Sequence, residues 1–158
     1  MADYVAAHIE IGGKLTGCKL TELFSLIEEL SAEDYGSSPP NQEYLQTCAD
    51  ENKPLALYDD QARYGEFPEL EEFCIANNLT FNRHSSPKYE YEGQIRLFSP
   101  DSGEQVIGAT DEGEPYLKWS ELKDYQDEGL TLQGVIEKVA EYAGNVPAFE
   151  LIEQLSGV

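Results

Sequence analysis

The sequence predicts a single α+β domain: a mixed β-sheet with helices packed mainly on one face and a helical carboxy-terminal region over about residues 116–158. Three observations predict it. Residues 4–11, 79–83 and 89–98 carry the two-residue apolar alternation of half-buried strands. Leu20, Leu23, Phe24, Ile27 and Leu30, and again Leu132, Val135, Ile136, Val139 and Ala143, recur at the spacing of one helix face. A chain of 158 residues is also the usual length of one domain, long enough to stabilise itself through a hydrophobic core.

Val5, Ala7, Ile9 and Ile11 share one face of the first strand, which Gly12-Gly13 is expected to end. The helix over 20–30 follows, then the break Gly36-Ser37-Ser38-Pro39-Pro40 and a short helix around 41–49. Pro54 to Tyr58 reads as a buried strand ending at Asp59-Asp60. Pro68 suits a first helical position, where its missing N–H would have no intrahelical partner, and that helix is expected to stop after Ala76 at Asn77-Asn78. Leu79 to Arg83, the turn Ser85-Ser86-Pro87 and residues 89–98 predict an antiparallel hairpin, with Gln105 to Ala109 as a further strand. Ser120 is expected to cap a short helix through Tyr125, and Thr131 the next one, with Gly144 in the left-handed position past its end. Pro147 is expected to start a last helical turn or two bearing Leu151, Ile152 and Leu155. The two early strand–helix units predict some parallel pairing, because a helical crossover returns the chain to the same edge.

Charge bounds the function. There are 31 Asp and Glu against 10 Lys and Arg, a formal net charge of −21, far above the magnitude of ~2–8 that keeps a small domain soluble. Such a surface repels nucleic-acid phosphates and anionic membranes and attracts basic partners, more weakly as salt rises. The carboxylates divide almost evenly, 16 in residues 1–79 and 15 in 80–158, which excludes a single acidic tail. The densest stretch holds Asp101, Glu104, Asp111, Glu112, Glu114, Glu121, Asp124, Asp127 and Glu128 against Lys118 and Lys123. These nine are the candidate partner-binding residues. The competing reading is an acidic background, as in halophiles, or acid that only maintains solubility.

The search for other chemistry assigns no catalytic, cofactor-binding or metal-ligating residue, and no cofactor is expected. Gly12-Gly13-Lys14 fits neither phosphate-binding glycine pattern. His8 and His84, the only histidines, each stand alone, and Asp111-Glu112-Gly113-Glu114 lacks the spacing of a calcium loop. Asp59 and Asp60 are the best candidates for a hard cation at a strand end, although a solvated turn is favoured. A meeting of His84 with Cys48 has no nucleophile motif behind it. Direct nucleic-acid binding is opposed by the charge, since only Arg83 and Lys88 lie near the aromatics Phe81, Tyr89 and Tyr91. Core packing is favoured for Trp119, Tyr116 and Tyr125 over an exposed aromatic anchor.

Three cysteines, Cys18, Cys48 and Cys74, form neither an even set nor a CxxC pair, and Cys74 between Phe73 and Ile75 reads as a buried small hydrophobe. No apolar run reaches 18 residues, and the start Met-Ala-Asp-Tyr-Val has no export-signal pattern, so a cytoplasmic location is expected.

A binding protein is therefore favoured over an enzyme. The expectation is an acidic protein-binding module whose partner is a basic protein, with a nucleic-acid mimic as its narrower form. Composition and size are similar to those of the acidic inhibitors of restriction and CRISPR systems carried by phages and plasmids. A small enzyme or ligand-binding domain using Asp59 and Asp60, and an accessory subunit, are the alternatives.

Overall fold

Alternation begun at Val5 runs past its expected stop. In the computed structural model, which describes residues 4–32, 42–88, 92–142 and 146–152, β1 spans Tyr4–Thr16 and passes straight through both glycines. Gly13 takes φ +110°, and a Cβ on Gly12 would lie 1.7 Å from the carbonyl oxygen of Pro147. The pair thus gives β1 a bare backbone, beside which the last strand, β8 (Phe149–Ile152), lies parallel from Gly13↔Phe149 to Thr16↔Ile152. This corrects the expected helical end of the chain. Phe149 is fully buried, and its N–H donates to the carbonyl of Lys53.

The next elements are α1 (Leu20–Ile27), β2 (Ser31–Ala32), α2 (Gln42–Asp50), β3 (Leu55–Arg63) and α3 (Pro68–Ala76). After them come β4 (Thr80–Ser85), β5 (Gln94–Ser99), β6 (Gly103–Ala109), β7 (Pro115–Tyr116), α4 (Trp119–Asp127) and α5 (Leu132–Ala140). The sheet order is β2-β3-β1-β4-β5-β6-β7, antiparallel throughout, and the parallel β8 on β1 makes the whole sheet mixed. The parallel pairing expected from the two early strand–helix units does not arise between their strands, because β1 and β3 are antiparallel; the one parallel pair among the described residues is β1 with β8. The α1 crossover leads instead to β2, which shares the direction of β1, and β3 returns between the two. The hairpin of β4 and β5 and the bounds of α3 agree with expectation, but Ser85, expected in the turn, pairs with Gln94, and β5 begins at Gln94 rather than at 89. The expected break at 36–40, Tyr89, Tyr91, Ala143, Gly144 and Leu155 lie outside the described residues.

Inward residues of β1, β3 and β4, among them Ile9, Ile11, Leu55, Leu57 and Phe81, meet Leu23 and Ile27 of α1, Tyr44 and Leu45 of α2, and Leu70 and Phe73 of α3. Three of the helices thus cover one sheet face, as expected. The opposite face carries a smaller cluster in which Ile95, Ile107 and Ala109 pack against Val139 of α5 and Tyr142. Tyr44 also closes an open stretch of β3: its hydroxyl accepts from the N–H of Ala56 at 2.9 Å and donates to the Ala56 carbonyl at 3.2 Å, meeting the rule that buried backbone groups find partners.

Charge enters the core at one place. Glu71, fully buried on α3, accepts from Arg83 Nε at 2.9 Å and from Arg96 Nη1 at 2.7 Å through one oxygen. Its other oxygen accepts the Phe67 N–H at 2.7 Å, an orphan donor where α3 begins. Arg83, 2% exposed, also donates to the Gly65 carbonyl at 2.9 Å, to Gln94 Oε1 at 3.2 Å and to Ser85 Oγ. Arg96 pairs in turn with Glu104. Arg83 is therefore a structural ion rather than a surface cation beside the aromatics. The network fixes the start of α3 against β4 and β5, and its geometry satisfies the requirement that a buried charge be paired.

Candidate partner-binding surface

The α4–α5 hairpin is locally well specified. Lys118, and not Ser120, is the residue before α4, and its N–H donates to Glu121 Oε1 at 3.1 Å. Gly129 at φ +85° ends the helix. Thr131 Oγ1 accepts the Gly134 N–H at 3.1 Å and caps α5, as expected. Caps fix where the two helices start and stop, but not what covers them.

Little of the hairpin is absorbed by the sheet. No residue of α4 is buried, and Val135 is the one buried residue of α5. Trp119 is 74% exposed, Leu132 76%, Ile136 52% and Leu122 41%. Core packing of Trp119 is thus overturned, while Tyr116 and Tyr125 are half-buried. The apolar side chains are contiguous. A groove of about 590 Å³ runs between the helices and β7, lined by Leu117, Leu122, Leu132, Val135, Ile136 and Val139 among others. Trp119 and Leu132 line a neighbouring recess of about 320 Å³. An exposed contiguous apolar patch with a polar border is the usual mark of an interaction site.

The border is acidic. Asp124, Asp127 and Glu128 are exposed on or beside α4, and Glu137 and Glu141 on or beside α5. All three lysines in this region are already engaged, Lys118 in an ion pair with Glu92 at 2.8 Å. Lys123 lies 6.0 Å from the centre of the Trp119 ring, and Lys138 6.0 Å from that of Tyr125.

The nine carboxylates predicted from sequence do not gather on one face. Asp124, Asp127 and Glu128 belong to the hairpin, with Glu121 half-buried in its capping role. Asp101 sits in the β5–β6 turn. Glu104 is held by Arg96 at the far side of the sheet from α5. Asp111 and Glu112 occupy the β6–β7 turn, Glu112 lines a different groove, and Glu114 lines both that groove and the one beside the hairpin. Composition located the acid; the apolar groove beside part of it was missed, although Leu122, Leu132 and Ile136 carried the signal.

That second groove, about 460 Å³, lies on the sheet face of α5 and brings the two histidines together. His8 and His84 are directly paired across β1 and β4, with ring centroids 6.2 Å apart, and Tyr58 stacks on His8 at 5.8 Å. His84 Nε2 is 2.8 Å from the Thr110 carbonyl. The expectation that each histidine stands alone is corrected, since strand register made them neighbours. Glu10, Glu112 and Glu114 also line this groove, yet among the described residues no group of three or more His, Cys, Asp or Glu is arranged to hold a metal ion.

Asp59 and Asp60 are not at a strand end, because β3 continues to Arg63. Asp59 Oδ1 accepts the Gln61 N–H at 2.9 Å, a local backbone bond of the kind expected in the favoured reading. Cys48 is buried among α1–α3 on the sheet face opposite His84, so the two do not meet. Burial pushes the Cys74 thiol far above its ordinary value, with Glu71 adding to the effect, and leaves it an inert hydrophobe. Among the described residues no helix is long and apolar enough to cross a membrane. No protein-family model matches the chain, and neither the curated proteins nor the solved structures contain a match.

Proposed function

We propose that this protein is a non-enzymatic, cytoplasmic binding module for a basic protein, and that the α4–α5 hairpin is its contact surface. One observation carries the reading: a contiguous apolar groove, with Trp119 and Leu132 about three-quarters exposed at its edge, opens in a chain of net charge −21. Large exposed aromatic and aliphatic side chains supply binding energy when a partner desolvates them. The surrounding carboxylates steer a cationic partner and select against anionic ones.

A narrower form of the reading is mimicry of nucleic acid, in which the module occupies the groove of a DNA- or RNA-binding protein. It is supported by the row Glu121, Asp124 and Glu128, whose spacing of three and four residues on α4 puts neighbouring carboxylates on one side.

Affinity capture from source-cell lysate tests both, using the native protein and the Trp119→Ala/Leu132→Ala variant as baits. A basic protein retained at low salt, released at high salt and lost from the variant is the expected result. A basic protein held equally by both baits would remove the hairpin from the interface. No basic protein on the native bait at low salt would dispose of the reading altogether. Displacement of the partner by duplex DNA is expected only under mimicry.

A further inference from the structure

We infer that the α4–α5 groove is a receptor for one secondary structure, a cationic amphipathic α-helix presented by the partner. The inference rests on the protein-binding reading above and deepens it from charge to shape.

The walls of the groove set the shape. Leu132, Val135, Ile136 and Val139 form one stripe along α5, at helical spacing, and Leu122 of α4 with Leu117 beyond β7 faces them. A nine-residue helix such as α5 is about 13 Å long. A trough of that length, walled by α5 on one side and by Leu122 and residues 114–117 on the other, takes a helical segment of about two and a half turns that offers apolar side chains at i, i+3, i+4 and i+7. A strand is the poorer fit. Beside the groove the sheet edge is β7, whose two residues are too short an edge to template an added strand.

Charge sets the sign. Between Glu114 and Glu141 stand seven carboxylates against three lysines, and two of those lysines lie over aromatic rings. Lysine or arginine flanking the apolar stripe of a docked helix would meet this rim. A second copy of the chain would instead bring another charge of −21 against the first.

The protein carries one tryptophan, Trp119, in the recess that shares Leu122, Leu132 and Val135 with the groove, so its fluorescence reports a helix that docks across both. The probes are a synthetic leucine–lysine peptide with helical amphipathic spacing, a scrambled peptide of the same composition, and polylysine. All are titrated against the full chain and against Leu132→Asp/Ile136→Asp, with calorimetry as a second readout and far-UV circular dichroism as a check on folding. Both substituted side chains are more than half exposed, so the variant is expected to keep the native spectrum.

The expected result is a saturable blue shift of Trp119 with the amphipathic peptide, about tenfold or more weaker binding to the double variant, and weaker binding of both controls. If the scrambled peptide or polylysine binds as tightly, recognition is by charge alone, and the helix inference falls while the basic-partner reading stands. If no cationic probe binds at low salt, both fall. If the native protein sediments as a dimer that the double variant abolishes, a second copy fills the groove and the inference is overturned.

Discussion

Replacing Glu71 by Gln keeps the shape of the side chain and removes its charge. In the folded protein one Glu71 oxygen receives both Arg83 and Arg96, at 2.9 and 2.7 Å, and the other receives the Phe67 N–H at 2.7 Å. A glutamine has one acceptor oxygen for three donors and turns its own NH2 toward at least one of them. Arg83 is left 2% exposed with no carboxylate beside it. Breaking a buried pair in this way costs about 3–5 kcal/mol. Glu104→Gln removes the other, half-exposed partner of Arg96 and is expected to cost less than about 1 kcal/mol. Urea unfolding followed by circular dichroism measures both. A 3 kcal/mol loss moves the midpoint by about 1–3 M. The loss for Glu71→Gln should persist at high salt, where exposed pairs are screened and buried ones are not. A loss under about 1 kcal/mol, or one that salt removes, would show that the Glu71–Arg83–Arg96 network does not hold α3 to the sheet.

Three further predictions probe β8 and the thiols. Gly12→Ala puts a methyl group into the carbonyl of Pro147 and should cost about 1–3 kcal/mol by overpacking. It should also speed hydrogen exchange at the Gly13 and Phe149 amides that tie β8 in place, whereas Gly17→Ala, with nothing within 4 Å, should change neither; unchanged exchange in Gly12→Ala would argue against β8 on β1. Under native conditions a maleimide should label Cys18 alone, because Cys48 and Cys74 are buried, and rapid labelling of all three would contradict the core. The folded Cys74 thiol keeps its proton far above the pH at which an unfolded thiol ionises, about 8.5. Above that pH the unfolded state binds fewer protons, so stability should fall by up to about 1.4 kcal/mol per pH unit. Below it this contribution is fully present. In Cys74→Ala the slope should be shallower by up to that amount, and an unchanged slope would show that Cys74 does not keep its proton on folding.

The proposed surface follows from a mismatch between local and global demands. The three-and-four spacing of Leu132, Val135, Ile136 and Val139 is that of a helix built to bury one face, yet only Val135 is buried and Val139 alone of the four joins the small cluster on the sheet. A stripe that the fold leaves uncovered is stabilised by a partner if one binds, and that is the physical content of the proposal.

Where the signal was local, the sequence by itself determined the answer. Pro68 and Asn77 bound α3, Thr131 caps α5, and the alternation of 80–83 and 94–98 makes the β4–β5 hairpin, because caps and periodicity act over a few residues. Net charge likewise needed only the composition. Tertiary structure decided everything that depends on partners distant in the chain. Residues 149–152 are apolar enough for helix or strand, and they form a strand because the bare backbone at Gly12-Gly13 lets them approach. Arg83 is buried because α3 supplies Glu71, and His8 meets His84 because β4 lies beside β1 in that register. Trp119 stands in solvent because Leu117, Val139 and Tyr142, and no residue of α4, pack with Ile95 and Ile107. Periodicity marks which face of an element is apolar; only the packing of the whole chain decides whether that face is covered.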